Sequence, residues 1–140
     1  MFNGNVWKKG KTWLIEIPAL DIVTQGKSKK SALFMIKDAI EELVNEKSFR
    51  IKITPTNDNK FIVWANDVAP LLALMLKRQR MKNGLSLFDM QERLHTKSRN
   101  AYAQYEQGRS VPSMQKFFEF LNAMGERVLL NYASGKIRAR

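Results

Sequence analysis

The chain has 140 residues, no cysteine, one histidine, 44% hydrophobic residues and a formal net charge of +11. This suits one domain or two small ones with a packed core, and the missing thiols exclude disulfides and thiolate metal sites. No apolar run is long enough to span a membrane, and the opening MFNGNVWKKGK lacks the apolar stretch of a signal peptide, so the expectation is a cytoplasmic protein without membrane association.

In chain order, residues 5–18 (NVWKKGKTWLIEIP) read as two strands about a Lys-Gly-Lys turn, because Trp13, Ile15 and Ile17 alternate with Leu14 and Glu16. Residues 21–25 form a third strand stopped by Gly26. Ser28 is placed to cap a long helix whose apolar positions Ala32, Leu33, Ile36, Ala39, Ile40, Leu43 and Val44 follow helical spacing. Two more strands, 49–54 and 60–65, flank the turn-rich PTNDN. The fold class expected for this half is α+β, a β-β-β-α-β-β layer.

After Asp67 the pattern turns helical. Asp67 and Pro70 open a helix with an apolar face of Leu71, Leu72, Met75 and Leu76, ending at Asn83-Gly84. Ser86 caps a second helix, with Asp89 favouring its N-terminal dipole. Ser98 caps a third that runs to Gln107 and stops at Gly108. Ser113 caps a fourth, with Phe117, Phe118, Leu121 and Met124 as its stripe. Residues 127–132 read as a last strand. The domains expected are therefore 1–66, 67–133 and a loose tail over 134–140.

Charge is uneven along the chain. Residues 1–67 hold 11 Lys+Arg and 8 Asp+Glu, whereas residues 68–140 hold 13 and 5, so the second half carries +8. A basic half attracts polyanions by counterion release. The unit over 86–107, a short capped helix, a tight turn and a second short helix, has the spacing of a helix-turn-helix, whose second helix enters the DNA major groove. In the third helix Tyr102 and Tyr105, with Ala101 beside them, face inward, and Arg99, Asn100, Ala103 and Gln104 face outward. Arg can bind guanine bidentately, and Asn or Gln can do the same with adenine. Ser98 and the first amides can hold a phosphate, and Lys97 and Arg109 flank the helix as salt-sensitive backbone contacts. A solvated helix in an ordinary bundle shares the capping pattern; the outward Arg/Asn/Gln set and the charge favour DNA.

The run SRNAYAQYEQGRSVP resembles a lambda-repressor-type (XRE-like) helix-turn-helix over about 70–125, and is closer still to the DNA-binding end of HicB-like antitoxins. WLIEIPALDIVTQGKSKKSALFMIKDAIEEL resembles the N-terminal module of the same family. The resemblance implies a partial RNase H-like module with no nuclease role, which binds and blocks a small HicA-type mRNA-cleaving toxin. It further implies a C-terminal module that binds operator DNA as a homo-oligomer, dimer or tetramer, and represses its own operon. By motif position Ser98, Arg99, Asn100 and Gln104 would be the DNA readers. The chain departs from the motif at Leu87, where Gln is usual, at Gln91, where a small residue is usual, and at His95, where glycine is usual.

The remaining signals point away from catalysis. Glu16, Asp21, Glu41, Glu42 and Glu46 invite comparison with an RNase H-like metal site, but Glu42 and Glu46 lie one helical turn apart, as on a solvated face. Trp7, Trp13 and Trp64 suit a core or interface better than base stacking. The expectation is therefore no enzyme, no catalytic residues, no cofactor and no metal. The alternative to an antitoxin is a stand-alone transcriptional regulator with a ligand-sensing N-terminal domain.

Overall fold

The computed structural model describes residues 1–126. The expected strand over 127–132 and the tail over 134–140 lie outside the described residues. The element order is β1 (Phe2–Lys9), β2 (Thr12–Ile17), a 3-10 turn (Pro18–Leu20), β3 (Ile22–Gly26), α1 (Lys29–Val44), β4 (Ile51–Pro55), β5 (Lys60–Ala65), α2 (Val68–Lys82), α3 (Leu87–Arg93), α4 (Asn100–Glu106) and α5 (Met114–Ala123). It is a mixed α/β architecture: a five-stranded sheet followed by a helical unit, with the first half in the expected β-β-β-α-β-β order.

The sheet is antiparallel throughout, in the order β3-β2-β1-β5-β4. Local hairpins account for β1–β2, β2–β3 and β4–β5. The non-local β1–β5 pairing joins them and puts β1 at the centre. On β1, Gly4 lies opposite Phe61, and a Cβ there would sit 2.0 Å from the Phe61 ring. Only glycine leaves that ring room to lie across the strand.

Alternation assigns the faces. Val6, Ile15, Ile17, Ile22, Ile51, Phe61 and Val63 are buried against Ala32, Ile36 and Ile40 of α1. The Ser28 hydroxyl accepts from the Ser31 amide at 3.0 Å, and Ser31 Oγ accepts in return from the Ser28 amide, also at 3.0 Å, a reciprocal cap that begins α1 where the sequence places it. The Glu41 carboxylate accepts the Ile51 amide at 2.9 Å, anchoring β4 to the helix. Leu43, expected in the buried stripe, is instead exposed, on the flank of the Ala32–Ile36–Ile40–Val44 row that faces the sheet. The opposite sheet face carries Trp7 across from Leu14, Glu16 across from Val23 and Lys52 across from Trp64. No helix among the described residues covers it, and Trp7, Val23 and Trp64 are exposed.

Helix α2 belongs to both halves. Leu71 and Leu74 enter the sheet-side core, Leu76 enters the helical core, and Met75 touches both. A single apolar face was expected; burial on several sides is what serving two cores demands. Hydrogen bonds reinforce the joint. Gln79, the one buried polar residue among those described, donates from Nε2 to the carbonyls of Pro18 at 3.1 Å and Ala19 at 2.8 Å. Arg78 Nε donates to the Leu20 carbonyl at 3.1 Å, and its Nη2 lies near the Asp21 carboxylate.

The helical core consists of Leu76, Met90, Tyr102, Tyr105, Phe120, Leu121 and Met124. Tyr102 and Tyr105 pack on Phe120 with ring centroids 5.0 and 5.1 Å away. Phe120 was absent from the expected α5 stripe yet lies at its centre, while Phe118 is only half-buried beside Phe117.

Candidate nucleic-acid interface

Three short helices and their turns position this site. α3 begins with a reciprocal cap: the Asp89 amide donates to Ser86 Oγ at 3.0 Å and the Ser86 amide donates to Asp89 Oδ2 at 2.7 Å. The Ser86 amide first, and then the Ser86 side chain, hold the Asp89 carboxyl below its usual range. α3 ends at Arg93 with Leu94 as its cap, and His95 beyond it takes φ +54°. The Thr96 amide reaches the Gln91 carbonyl at 3.1 Å and the His95 amide reaches Glu92 at 3.2 Å, the left-handed helix stop usually built on glycine. His95 thus preserves the turn between the motif helices without glycine. Leu87, in place of the usual Gln, packs against the helical core.

α4 is clamped by ionic and hydrogen-bonded contacts beneath its exposed face. The Glu106 carboxylate accepts from Arg80 Nε at 2.6 Å, Arg80 Nη2 at 3.1 Å and the Tyr102 hydroxyl at 2.7 Å. Arg80 Nη1 donates to the Leu85 carbonyl at 2.7 Å. The Arg80 and Glu106 side chains are only 12% and 7% exposed. The bond to Glu106 raises the guanidinium's affinity for its proton, and burial, seconded by the Glu106 charge, raises that of the Tyr102 phenol. At α5, Lys116 Nζ donates to the Tyr105 hydroxyl at 3.1 Å, and Arg93 of α3 donates to the Ala123 carbonyl at 2.8 Å.

Above that clamp lies a shallow groove of about 350 Å³ lined by Ser98, Asn100, Ala101, Gln104, Gln107 and Arg109. Ser98, Asn100, Gln104 and Arg109 are therefore brought together, as the sequence suggests. Lys97 and Arg99 are exposed beside them but do not line the groove. Ser98 Oγ accepts from the Asn100 amide at 3.2 Å, so it caps the turn even though the helix proper starts at Asn100.

Ala103 corrects the expected faces: it is buried, and Ala101 is the small residue on the groove side. Gln107 is a groove residue not foreseen from the sequence; its place one turn beyond Gln104 and two beyond Asn100 is the signal that could have found it. The carboxylates that invite comparison with a metal site do not gather into one among the described residues. Glu16 Oε1 accepts from Asn5 at 3.1 Å on the sheet, and no cluster of three metal-ligating side chains occurs among the described residues. No helix among them is long and apolar enough to cross a membrane.

A capped helix joined by a left-handed turn to a second helix, which is held on a buried ion pair and shows amides and cations outward, defines a helix-turn-helix domain. Residues 76–129 match the family model described as Helix-turn-helix. This domain supports DNA binding and transcription regulation as the chain's activity. No curated protein matches the chain.

Proposed function

We propose that this chain is the antitoxin of a toxin–antitoxin pair and the repressor of its own operon. The helix-turn-helix binds operator double-stranded DNA, and the N-terminal module, resembling a partial RNase H-like fold, binds and neutralises a HicA-type mRNA-cleaving toxin. The observation that carries the DNA half is the groove: Ser98, Asn100, Gln104 and Arg109 converge on one surface of α4, with Lys97 and Arg99 beside it. Arg99, Asn100 and Gln104 are assigned to base edges, and Lys97, Ser98 and Arg109 to phosphates. Supporting the toxin half are the strand–helix order shared with the HicB-like module and the sheet face that exposes Trp7, Val23 and Trp64. Exposed aromatic side chains of this kind suit a protein contact, and the edges of β3 and β4, unpaired among the described residues, offer strand pairing. The protein acts in the cytoplasm, without cofactor or catalysis, as a homo-oligomer, because one short helix-turn-helix buries little DNA surface and gains affinity by pairing.

The test has two arms. Binding to the operator is measured at rising salt for wild type, Arg99→Ala and Gln104→Ala; both variants are expected to lose affinity and relax base preference. Unchanged binding and preference would refute these readers. Coexpression with the neighbouring open reading frame tests the partner, with a copurifying small basic protein expected.

One observation favours a second reading, a regulator with a ligand-sensing first half. A cavity of about 180 Å³ lies where α1, α2 and the end of α4 meet, lined by Leu43, Pro70, Leu74, Lys77 and Gln107 among others. A neighbouring gene unrelated to toxins, together with small-molecule control of DNA binding, would decide for it.

A further inference from the structure

We infer that Ser110 is a positioning residue that holds the Gln104 carboxamide, once the Ala101 carbonyl has selected its nitrogen end, with one edge toward DNA, and so sets base preference at one position of the site. This rests on Gln104 acting as a base reader. Gln104 is half-buried, and both ends of its amide are engaged by its own protein. Nε2 donates to the Ala101 carbonyl at 3.3 Å, and the Ser110 hydroxyl donates to Oε1 at 3.1 Å. A backbone carbonyl can only accept, so the Ala101 contact selects the nitrogen end. Oε1 is then the end that meets Ser110, and the hydroxyl must be the donor there. A flipped amide would set two carbonyl oxygens against each other at Ala101.

Ser110 reaches this place because the chain doubles back after α4. Gly108 takes φ +71°, and the Arg109 amide closes onto the Gln104 carbonyl at 3.0 Å. Residue 110 is thereby returned alongside residue 104. The held amide keeps one N–H and one oxygen lone pair unused. A free glutamine presents donor and acceptor in either order; the held one presents a single order, which fits adenine's N7 acceptor and N6 donor in one docking register. Pre-organisation of this kind also removes the entropy cost of ordering a long side chain on binding.

The experiment selects duplexes from a randomised library with wild type, Ser110→Ala, Ser110→Thr and Gln104→Ala, then measures affinity and its salt dependence on the wild-type consensus and on a scrambled duplex. Ser110→Ala is expected to lose about fivefold on the consensus, the equivalent of one net hydrogen bond. It is also expected to lose base preference at the position that Gln104→Ala flattens, with the salt slope and scrambled binding unchanged. Ser110→Thr, which keeps the donor, restores both. If Ser110→Ala instead weakens all duplexes alike and lowers the salt slope, Ser110 is a phosphate contact and the inference fails. If Gln104→Ala flattens a position that Ser110→Ala leaves intact, the inference fails and the reader assignment stands. If Gln104→Ala changes no position, both fall. Thermal melts and the side-chain amide resonances of Gln104 in the free Ser110→Ala protein separate loss of positioning from loss of fold.

Discussion

Arg80 and Glu106 meet through two parallel hydrogen bonds, 2.6 Å from Nε and 3.1 Å from Nη2, with both side chains almost wholly removed from water. The pair joins α2 to the DNA-facing helix. Breaking one side of a buried pair leaves an uncompensated charge, a loss of about 3–5 kcal/mol, whereas replacing both partners is often near neutral. Arg80→Met is therefore expected to lower unfolding free energy by about that amount. Adding Glu106→Gln should recover much of the loss, since the neutral amide oxygen still accepts from Tyr102. Urea unfolding of the two variants checks this. Equal losses in single and double variants would mean that packing, not orphaned charge, sets the cost.

The joint between the halves makes a separate prediction. Gln79→Leu keeps side-chain bulk but removes the donors to Pro18 and Ala19. Unsatisfied acceptors cost about 1–3 kcal/mol. All three tryptophans lie in the first half, at Trp7, Trp13 and Trp64. Tryptophan fluorescence thus follows the sheet module, and far-UV circular dichroism follows the helices. The two transitions should coincide in wild type, as for one cooperative unit, and separate or shift to lower denaturant in Gln79→Leu combined with Arg78→Ala. Coincident transitions at an unchanged midpoint would show the halves to be coupled by apolar contact alone.

Local signals carried much of this fold. Ser28, Ser86 and Ser113 cap the helices expected of them, and the five strands among the described residues fall within about three residues of their expected bounds. What was illegible depends on distant partners. The β1–β5 pairing has no local signature. The two-sided burial of α2 answers to two cores at once. The Ala101/Ala103 exchange has the same origin. The tyrosine pair alone suggests an inward face centred between residues 102 and 105. Arg80 also draws Glu106 into the interior, turning the buried arc toward Ala103 and leaving Ala101 at the groove. A glutamate reads as solvent-facing until its partner is known. At the site, residue types were legible; Gln107 follows from helical spacing beyond Gln104, and Ser110 was not legible, because it enters through the turn at Gly108.

His95 occupies a left-handed position at φ +54° where the helix stop favours glycine. A side chain there carries strain of about 1 kcal/mol, offset in part by the greater freedom glycine has when unfolded. His95→Gly is expected to raise the melting temperature slightly, and His95→Val, whose branched Cβ resists positive φ, to lower it. Scanning calorimetry on the three proteins gives the order. A melting temperature for His95→Val at or above that of His95→Gly would mean that the turn changes conformation to suit its residue.

Asp89 supplies the pH-dependent prediction. Its carboxyl is held below the usual 3.8 by the Ser86 amide first, then by the Ser86 side chain. A folded value under the unfolded one stabilises the fold above the unfolded pKa, and the contribution is lost as pH falls through the folded value. The stability difference between wild type and Asp89→Ala should accordingly hold from neutral pH down to about the ordinary carboxylate value of 3.8, then close as the medium becomes more acidic. Urea midpoints of both proteins across that range measure it, and taking the difference cancels the titration of every other carboxylate. A gap that stays open in acid would assign the cap's contribution to Ser86 and helix propensity, not to the negative charge at the start of α3.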